Sequence, residues 1–331
     1  MLKSLRFSRN LNVISPTKEF FKVYEVGPRD GLQNEKTFLP TTQKVDFVNR
    51  LSATGLKAIE AASFASPTWI PQVRSRHNLI QIAKLKLKDG EEVLKRIDRF
   101  PNVSYSAVVV NKVGLMHATT DRNLNEIAIF HSCSETFSRK NVNCSKEENL
   151  KRMKEVVDAA VGKVQRVRAY LSVVVGCPYD GETDPKTVAR AAEALLELGC
   201  YRIALSDTIG VGSASSVSRM LNEVLAVAPP EKFAVHFHDS YGQALTNVLV
   251  SIDKGIRAAD GSVGGLGGCP FARGSTGNLA TEDLVYMLHD LGFETGIDLD
   301  KLAQTGDWIC SVLNRPNASK CSTALSVNRC K

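Results

Sequence analysis

Phe233-Ala234-Val235-His236-Phe237-His238-Asp239 is the stretch that decides how this chain is read. Apolar residues alternate with histidines, which is the spacing of a strand whose successive side chains point to opposite faces. His236 and His238 are two apart, so their imidazoles share a face and can reach one metal ion. The bland alternative is a polar turn holding two unrelated histidines. An acidic neighbour, Asp239, argues for the metal site. So does the later glycine-rich run Gly264-Gly265-Leu266-Gly267-Gly268-Cys269-Pro270, with Asn278 beyond it.

Outward from that strand the same kind of segment recurs. Candidate strands lie at 22–26, 57–62, 103–110, 126–131, 166–175, 202–206, 233–238 and 258–263, eight in all. Between them lie helical patterns. Asp184-Pro185 opens one, with the acid as cap and proline in the first turn. It runs on through Val188, Ala191, Ala192, Leu195 and Leu196 and stops at Gly199. Residues 147–161 and 217–227 have the same spacing. Alternating strands and helices in this number predict an α/β fold, a (β/α)8 TIM barrel over 19–298. A doubly wound sheet is disfavoured because Gly27-Pro28-Arg29-Asp30-Gly31 is not the G-x-G-x-x-G fingerprint. An additional C-terminal helical segment, 299–331, carries a helix with Trp308, Ile309, Val312 and Leu313. That helix is expected to close the barrel base, cover substrate or contact a second subunit. From Pro316 the tail reads as polar and mobile.

Composition fits an enzyme. The 331 residues are 43% hydrophobic, enough for a full core, and no apolar run is long enough to span a bilayer. A net charge of +7 suits an anionic substrate as readily as a solvated basic surface. No basic block or aromatic-basic motif points to nucleic acid. The eight cysteines are scattered with no C-x-x-C pair, against a zinc ribbon or a disulfide scaffold. Residues 1–18 contain Lys3, Arg6, Arg9 and Lys18, several serines and no acid, the composition of a mitochondrial transit peptide or of a frayed basic tail.

In a TIM barrel, catalytic groups sit at the C-terminal ends of the strands. Those ends here carry Arg29 and Asp30, Glu60, Asp207, then His236 and His238, with Cys269 and Asn278 in the last loop. Asp30, His236, His238 and Asn278 offer two oxygens and two nitrogens, a set that favours Mg²⁺ or Mn²⁺, with zinc still open. Such an ion would chelate hydroxyl and carbonyl oxygens as a Lewis acid. Arg29 is placed to stabilise an enolate oxyanion, or else forms a salt bridge in the barrel mouth. Glu60 is placed to orient Arg29, and Asp207 to do likewise or accept a proton. Cys269 on its glycine loop is a proton carrier or a buried spectator.

Glu25-Val26-Gly27-Pro28-Arg29-Asp30-Gly31-Leu32-Gln33-Asn34-Glu35 resembles the opening motif of the hydroxymethylglutaryl-CoA lyases, within the DRE-TIM metallolyase superfamily. The stretch 262–272, with Gly264-Gly265-Leu266-Gly267-Gly268-Cys269-Pro270, resembles that family's signature loop. Further likenesses are Ile59-Glu60, Gly176-Cys177-Pro178-Tyr179, Ser206-Asp207-Thr208-Ile209-Gly210 and Gly277-Asn278-Leu279-Ala280-Thr281-Glu282-Asp283, so the resemblance spans about 24–314. It implies cleavage of hydroxymethylglutaryl-CoA to acetyl-CoA and acetoacetate, a step of leucine catabolism and ketone-body formation in the mitochondrial matrix. It implies Mg²⁺ or Mn²⁺ on Asp30, His236, His238 and Asn278, and catalytic parts for Arg29, Asp30, Glu60, Asp207, His236 and Cys269. Substrate contacts through Arg29, Gln33 and Asn111, an acyl-CoA partner and a homodimer are also implied.

Two stretches depart from the family pattern. Residues 73–88 form a basic excursion, either a surface loop or a translated intron, where the family has a short link. The run Val108-Val109-Val110-Asn111 keeps only Asn111. The tail Asn328-Arg329-Cys330-Lys331 lacks a peroxisomal tripeptide. Rival functions are a Claisen-type acyl-CoA synthase of the same superfamily, such as a homocitrate or isopropylmalate synthase, and a non-catalytic acyl-CoA-binding homologue. The absence of a long regulatory domain and the presence of the Cys269 loop favour the lyase over the first. The complete ligand set argues against the second.

Overall fold

A computed structural model describes residues 19–35, 37–64, 89–121, 124–268 and 277–329. Cys269, the excursion at 73–88 and the leader at 1–18 lie outside these described residues.

Eight parallel strands close into a barrel: β1 Lys22–Glu25, β2 Ala58–Phe64, β3 Ser104–Val109, β4 Glu126–Ser132, β5 Arg166–Ser172, β6 Arg202–Asp207, β7 Phe233–Phe237 and β8 Ala258–Gly261. Each strand pairs with its sequence neighbours and β8 returns to β1, so no edge is left open. Around it run α1 Thr41–Ser52, α2 Gly90–Arg96, α3 Lys112–Ala118, α4 Glu135–Val142, α5 Lys146–Ala160, α6 Pro185–Glu197, α7 Ala214–Val224, α8 Ala244–Asp253 and α9 Thr281–Asp290. Beyond the repeats follow α10 Leu299–Val312 and α11 Lys320–Arg329. Among the described residues no helix is long and apolar enough to cross a membrane.

The helices begin where the sequence expects. The Asp184 carboxylate caps α6 by accepting from the Lys186 amide at 3.2 Å, and Val188, Ala192 and Leu195 are the buried stripe. Ser145 and Glu148 form a reciprocal cap on α5. On the strands, residues such as Ile203, Phe233, Val235 and Phe237 fill the layer against the helices. The barrel interior is different. Tyr24, Ala58, Ala234 and Ala258 make one small cluster, and Val108, Ala128, Tyr170 and Ala204 another. Short alanines leave room there for charged side chains, and Arg168 is the largest fully buried residue.

Three expectations are corrected. The strand expected over 166–175 ends at Ser172, because Val173 takes φ 57°, a left-handed value that no β-branched residue adopts without strain. It is held there by the Thr208 hydroxyl, which accepts from the Val173 amide at 2.9 Å, and by the Thr183 hydroxyl, which donates to its carbonyl at 2.7 Å. The tail is not a loose polar segment: α11 is docked, with the Ser319 hydroxyl and the Cys321 amide both donating to Asp283 Oδ1 at 2.7 Å. Finally, α10 does not close the barrel base. It packs on α1 and on the turn Val263–Gly265 that follows β8, at the C-terminal rim.

Candidate active site

The chain leaves β1 through a single π-helical turn, Gly27–Gly31, in which the amides of Asp30 and Gly31 both return to the Val26 carbonyl. This tight exit turns Arg29 and Asp30 into the barrel mouth, both buried. Arg29 Nε donates to Glu60 Oε1 on β2, and Arg29 Nη1 donates to Asp30 Oδ1 at 2.6 Å. Its guanidinium lies 5.4 Å from the Phe130 ring and 5.2 Å from the Tyr170 ring. The adjacent carboxylates of Glu60 and Asp30 more than offset the desolvation of Arg29 and keep it charged.

Across the mouth, His236 and His238 project inward from the end of β7. One ligand atom each from Asp30, His236 and His238 lies within 4.8 Å of the others. Each imidazole is fixed through its second nitrogen. His236 Nδ1 meets Asp260 Oδ2 at 3.1 Å, and His238 Nδ1 meets the Asp207 carbonyl at 3.2 Å. Nε2 of His236 then faces Asp30 Oδ2 at 3.8 Å. Pinning one ring nitrogen and freeing the other is how proteins present histidine to a metal. Burial first, and the His236 charge next, push the His238 pKa down to about 4, so it is a neutral donor near pH 7. Burial alone would raise Asp30; Arg29 and the two histidines reverse this and bring it down to about 2. The three donors thus fit a divalent cation in identity and spacing.

The expected residues do not all converge. Glu60 does orient Arg29. Asn278 adjoins the triad, but its amide nitrogen donates to Asp30 Oδ2 at 2.9 Å and to the Leu266 carbonyl at 3.1 Å. Gln33 Nε2 donates to Asp30 Oδ1 at 2.9 Å, so it supports the carboxylate. Asn111 caps α3, its side-chain oxygen accepting from the Gly114 amide at 2.8 Å. Asp207 does not reach Arg29: its carboxylate accepts the amides of Val211 at 3.2 Å and Gly212 at 2.7 Å, tying down the turn after β6. Cys269 lies outside the described residues.

Other participants were missed in the sequence. Arg168 Nη2 donates to Asp260 Oδ1, and Arg168 Nη1 to the Tyr170 hydroxyl at 3.3 Å. That hydroxyl donates to Glu60 Oε2 at 3.1 Å. A buried polar ring therefore runs Asp30, Arg29, Glu60, Tyr170, Arg168, Asp260, His236 and back to Asp30. Two further carboxylates hold the stem of the glycine loop. Glu25 accepts from the amides of Gly27 at 2.8 Å and Val263 at 3.0 Å and from the Thr281 hydroxyl at 2.7 Å. Glu282 accepts the Gly264 amide at 2.9 Å and the Ser322 hydroxyl at 3.1 Å. Burial pushes Glu25 up to about 7 and Glu282 up to about 8, against those hydrogen bonds. Gly264, at φ 64°, is packed so closely that a Cβ there would sit 2.8 Å from the Cys310 sulfur.

The closed parallel barrel, with two histidines, a carboxylate and a charged arginine at the C-terminal ends of its strands, defines a TIM-barrel enzyme of the divalent-metal class. More narrowly, the chain belongs to the HMGL-like family, whose model matches residues 21–309. It is 49% identical over 309 residues to a Danio rerio protein named 3-hydroxy-3-methylglutaryl-CoA lyase, cytoplasmic, covering 93% of this chain and 88% of that one. It is 48% identical over 303 residues to a Rattus norvegicus protein named hydroxymethylglutaryl-CoA lyase, mitochondrial, covering 92% and 89% respectively. Among solved structures, a hydroxymethylglutaryl-CoA lyase from Pseudomonas aeruginosa superposes with TM-score 0.86 at 42% identity, covering 95% of this chain and 100% of that one.

Proposed function

We propose that this chain cleaves 3-hydroxy-3-methylglutaryl-CoA to acetyl-CoA and acetoacetate. The observation that carries the proposal is the Asp30–His236–His238 group with the Arg29 guanidinium beside it in a buried mouth. Asp30, His236 and His238, with Asn278 adjoining, would hold a divalent ion, which would supply a Lewis acid for the substrate's hydroxyl and carbonyl oxygens; Mg²⁺ or Mn²⁺ would suit the oxygen-rich substrate. In the reaction the tertiary hydroxyl loses its proton and its oxygen becomes the ketone of acetoacetate. The carbon–carbon bond breaks, its electron pair goes to the acetyl-CoA enolate, and that carbon then takes up a proton.

Arg29 faces the developing enolate oxygen as a fixed cation, and Glu60 holds it there, so little reorganisation is needed as charge appears. Cys269, at the end of the glycine loop, is our candidate for the proton donor to the enolate carbon. Glu25 and Glu282 anchor the stem of that loop. Asp207 acts through the backbone carbonyl that fixes His238 and through its grip on the 210–212 turn, a positioning part.

For location we propose the mitochondrial matrix, on the basic, acid-free composition of residues 1–18. The pathway setting would then be leucine breakdown and ketone-body formation. Mass-spectrometric product analysis tests the activity: acetoacetate and acetyl-CoA in equal amounts support it. A chain that instead condenses acetyl-CoA with a 2-oxo acid is a synthase and the proposal fails.

A further inference from the structure

We infer that Asp260 and Arg168 act together as the positioning pair that sets the tautomer of His236. The inference rests on the metal reading given above. Asp260 stands on β8 and Arg168 on β5, with β7 and β6 between them in the barrel wall, and both are buried among other interior groups. The two carboxylate oxygens of Asp260 have separate duties. Oδ1 takes Arg168 Nη2, and Oδ2 lies 3.1 Å from His236 Nδ1. A carboxylate is acceptor-only, so Nδ1 must carry the hydrogen, and in the neutral ring Nε2 is the nitrogen left to present a lone pair. Nε2 is the atom that faces Asp30.

Arg168 explains why a carboxylate is required there, since an amide would not suffice. Consider Asp260→Asn, which keeps size and shape. The buried guanidinium can only donate, so it demands the amide oxygen. That leaves the amide NH₂ facing His236 Nδ1. Nδ1 must then become the acceptor, its hydrogen moves to Nε2, and the metal-facing nitrogen is blocked. Turning the amide round restores His236 but sets NH₂ against the Arg168 guanidinium, donor against donor, with a buried charge left unpaired. Arg168 thus converts a tolerant site into one that accepts only a carboxylate. Arg168 is itself steadied by the Tyr170 hydroxyl, which reaches Glu60 and so Arg29.

Variants at the two positions should therefore be non-additive. Asp260→Asn should weaken Mn²⁺ binding at least about tenfold, in the range seen when outer partners of ligand histidines are lost. The double variant Asp260→Asn with Arg168→Met removes the competing donor, so the amide oxygen is free to accept from Nδ1–H. Affinity should return to within about threefold of the wild type. If the pair served packing alone, the second change would deepen the first.

The test is calorimetric Mn²⁺ titration of the chelator-stripped full chain, with ¹⁵N NMR of the His236 ring and circular dichroism on each protein. Expected are Nδ1–H in the wild type, Nε2–H in Asp260→Asn, and Nδ1–H again in the double variant. Unchanged affinity in Asp260→Asn overturns the inference while leaving the metal reading intact, as does a double variant no better than the single. If Asp260→Asn does not fold, the double variant decides alone: Nε2–H or weak binding in it overturns the pairing. A wild type that binds no Mn²⁺, with His236→Ala behaving identically, overturns the metal reading itself and the inference with it.

Discussion

Replacing Arg29 by glutamine removes the cation that, on the proposed mechanism, faces the developing enolate. Two of its nitrogens are committed: Nε to Glu60 and Nη1 to Asp30 at 2.6 Å. Among the described residues Nη2 has no hydrogen-bond partner in the protein, which leaves it for substrate. Glutamine retains a donor for Glu60 but has neither charge nor reach. Loss of one oxyanion donor costs about 10²–10³ in kcat, and a fully charged, water-excluded donor sits at or beyond the upper end. We expect kcat to fall by roughly a thousandfold, about 4 kcal/mol in barrier, with KM changing only severalfold. Asp30 also loses the neighbouring cation that holds its pKa down, which changes the charge around the metal group, so the assay must be run at saturating Mg²⁺. Steady-state kinetics over a substrate series is the measurement. A change confined to KM would refute the reasoning, because it would mean that Arg29 binds ground state and transition state equally.

Glu282 should give the fold a pH signature. Its folded pKa, near 8, lies above the ordinary carboxyl value, so the folded state holds a proton that the unfolded chain has already released. Stability therefore falls as pH rises from about 4.5 to about 8. In urea titrations, Glu282→Gln should flatten the part of that decline between pH 6.5 and 8; an identical slope in both proteins would count against it. Cys269→Ser should lose most turnover while keeping near-normal Mn²⁺ affinity, since a serine hydroxyl is far less acidic; near-wild-type turnover would make the thiol a packing group. A reporter fused behind residues 1–18 should enter mitochondria, and a cytosolic reporter would remove the matrix proposal.

Much of the site was legible because its key residues sit at places where sequence and geometry coincide. His236 and His238 alternate with apolar neighbours, and alternation alone puts them on one face. Arg29, Asp30 and Glu60 follow from strand ends in a barrel. Arg168 and Asp260 were passed over because they lie within strands, read there for apolar character. The available signal was Arg166-Val167-Arg168-Ala169-Tyr170, where every second residue is polar although both faces of a barrel strand are covered. Such a pattern can only mean a polar interior. For Asp207 the sequence leaves the part open, because a strand-end acid looks the same whether it faces substrate or its own turn; in the structure its carboxylate accepts the Gly212 amide at 2.7 Å. Helix α11 was missed because Lys320 to Arg329 has no marked apolar stripe. It is held at its start by hydrogen bonds to Asp283 and Glu282, which local periodicity does not reveal.

The central claim is metal-dependent cleavage, and one assay reaches it most directly. The full chain is stripped with chelator, and acetoacetate release from 3-hydroxy-3-methylglutaryl-CoA is followed before and after Mg²⁺ or Mn²⁺ is restored. Release should be at background level in the stripped protein and recover on adding either ion, with no recovery in His236→Ala. Undiminished acetoacetate release from the rigorously metal-free chain would contradict it.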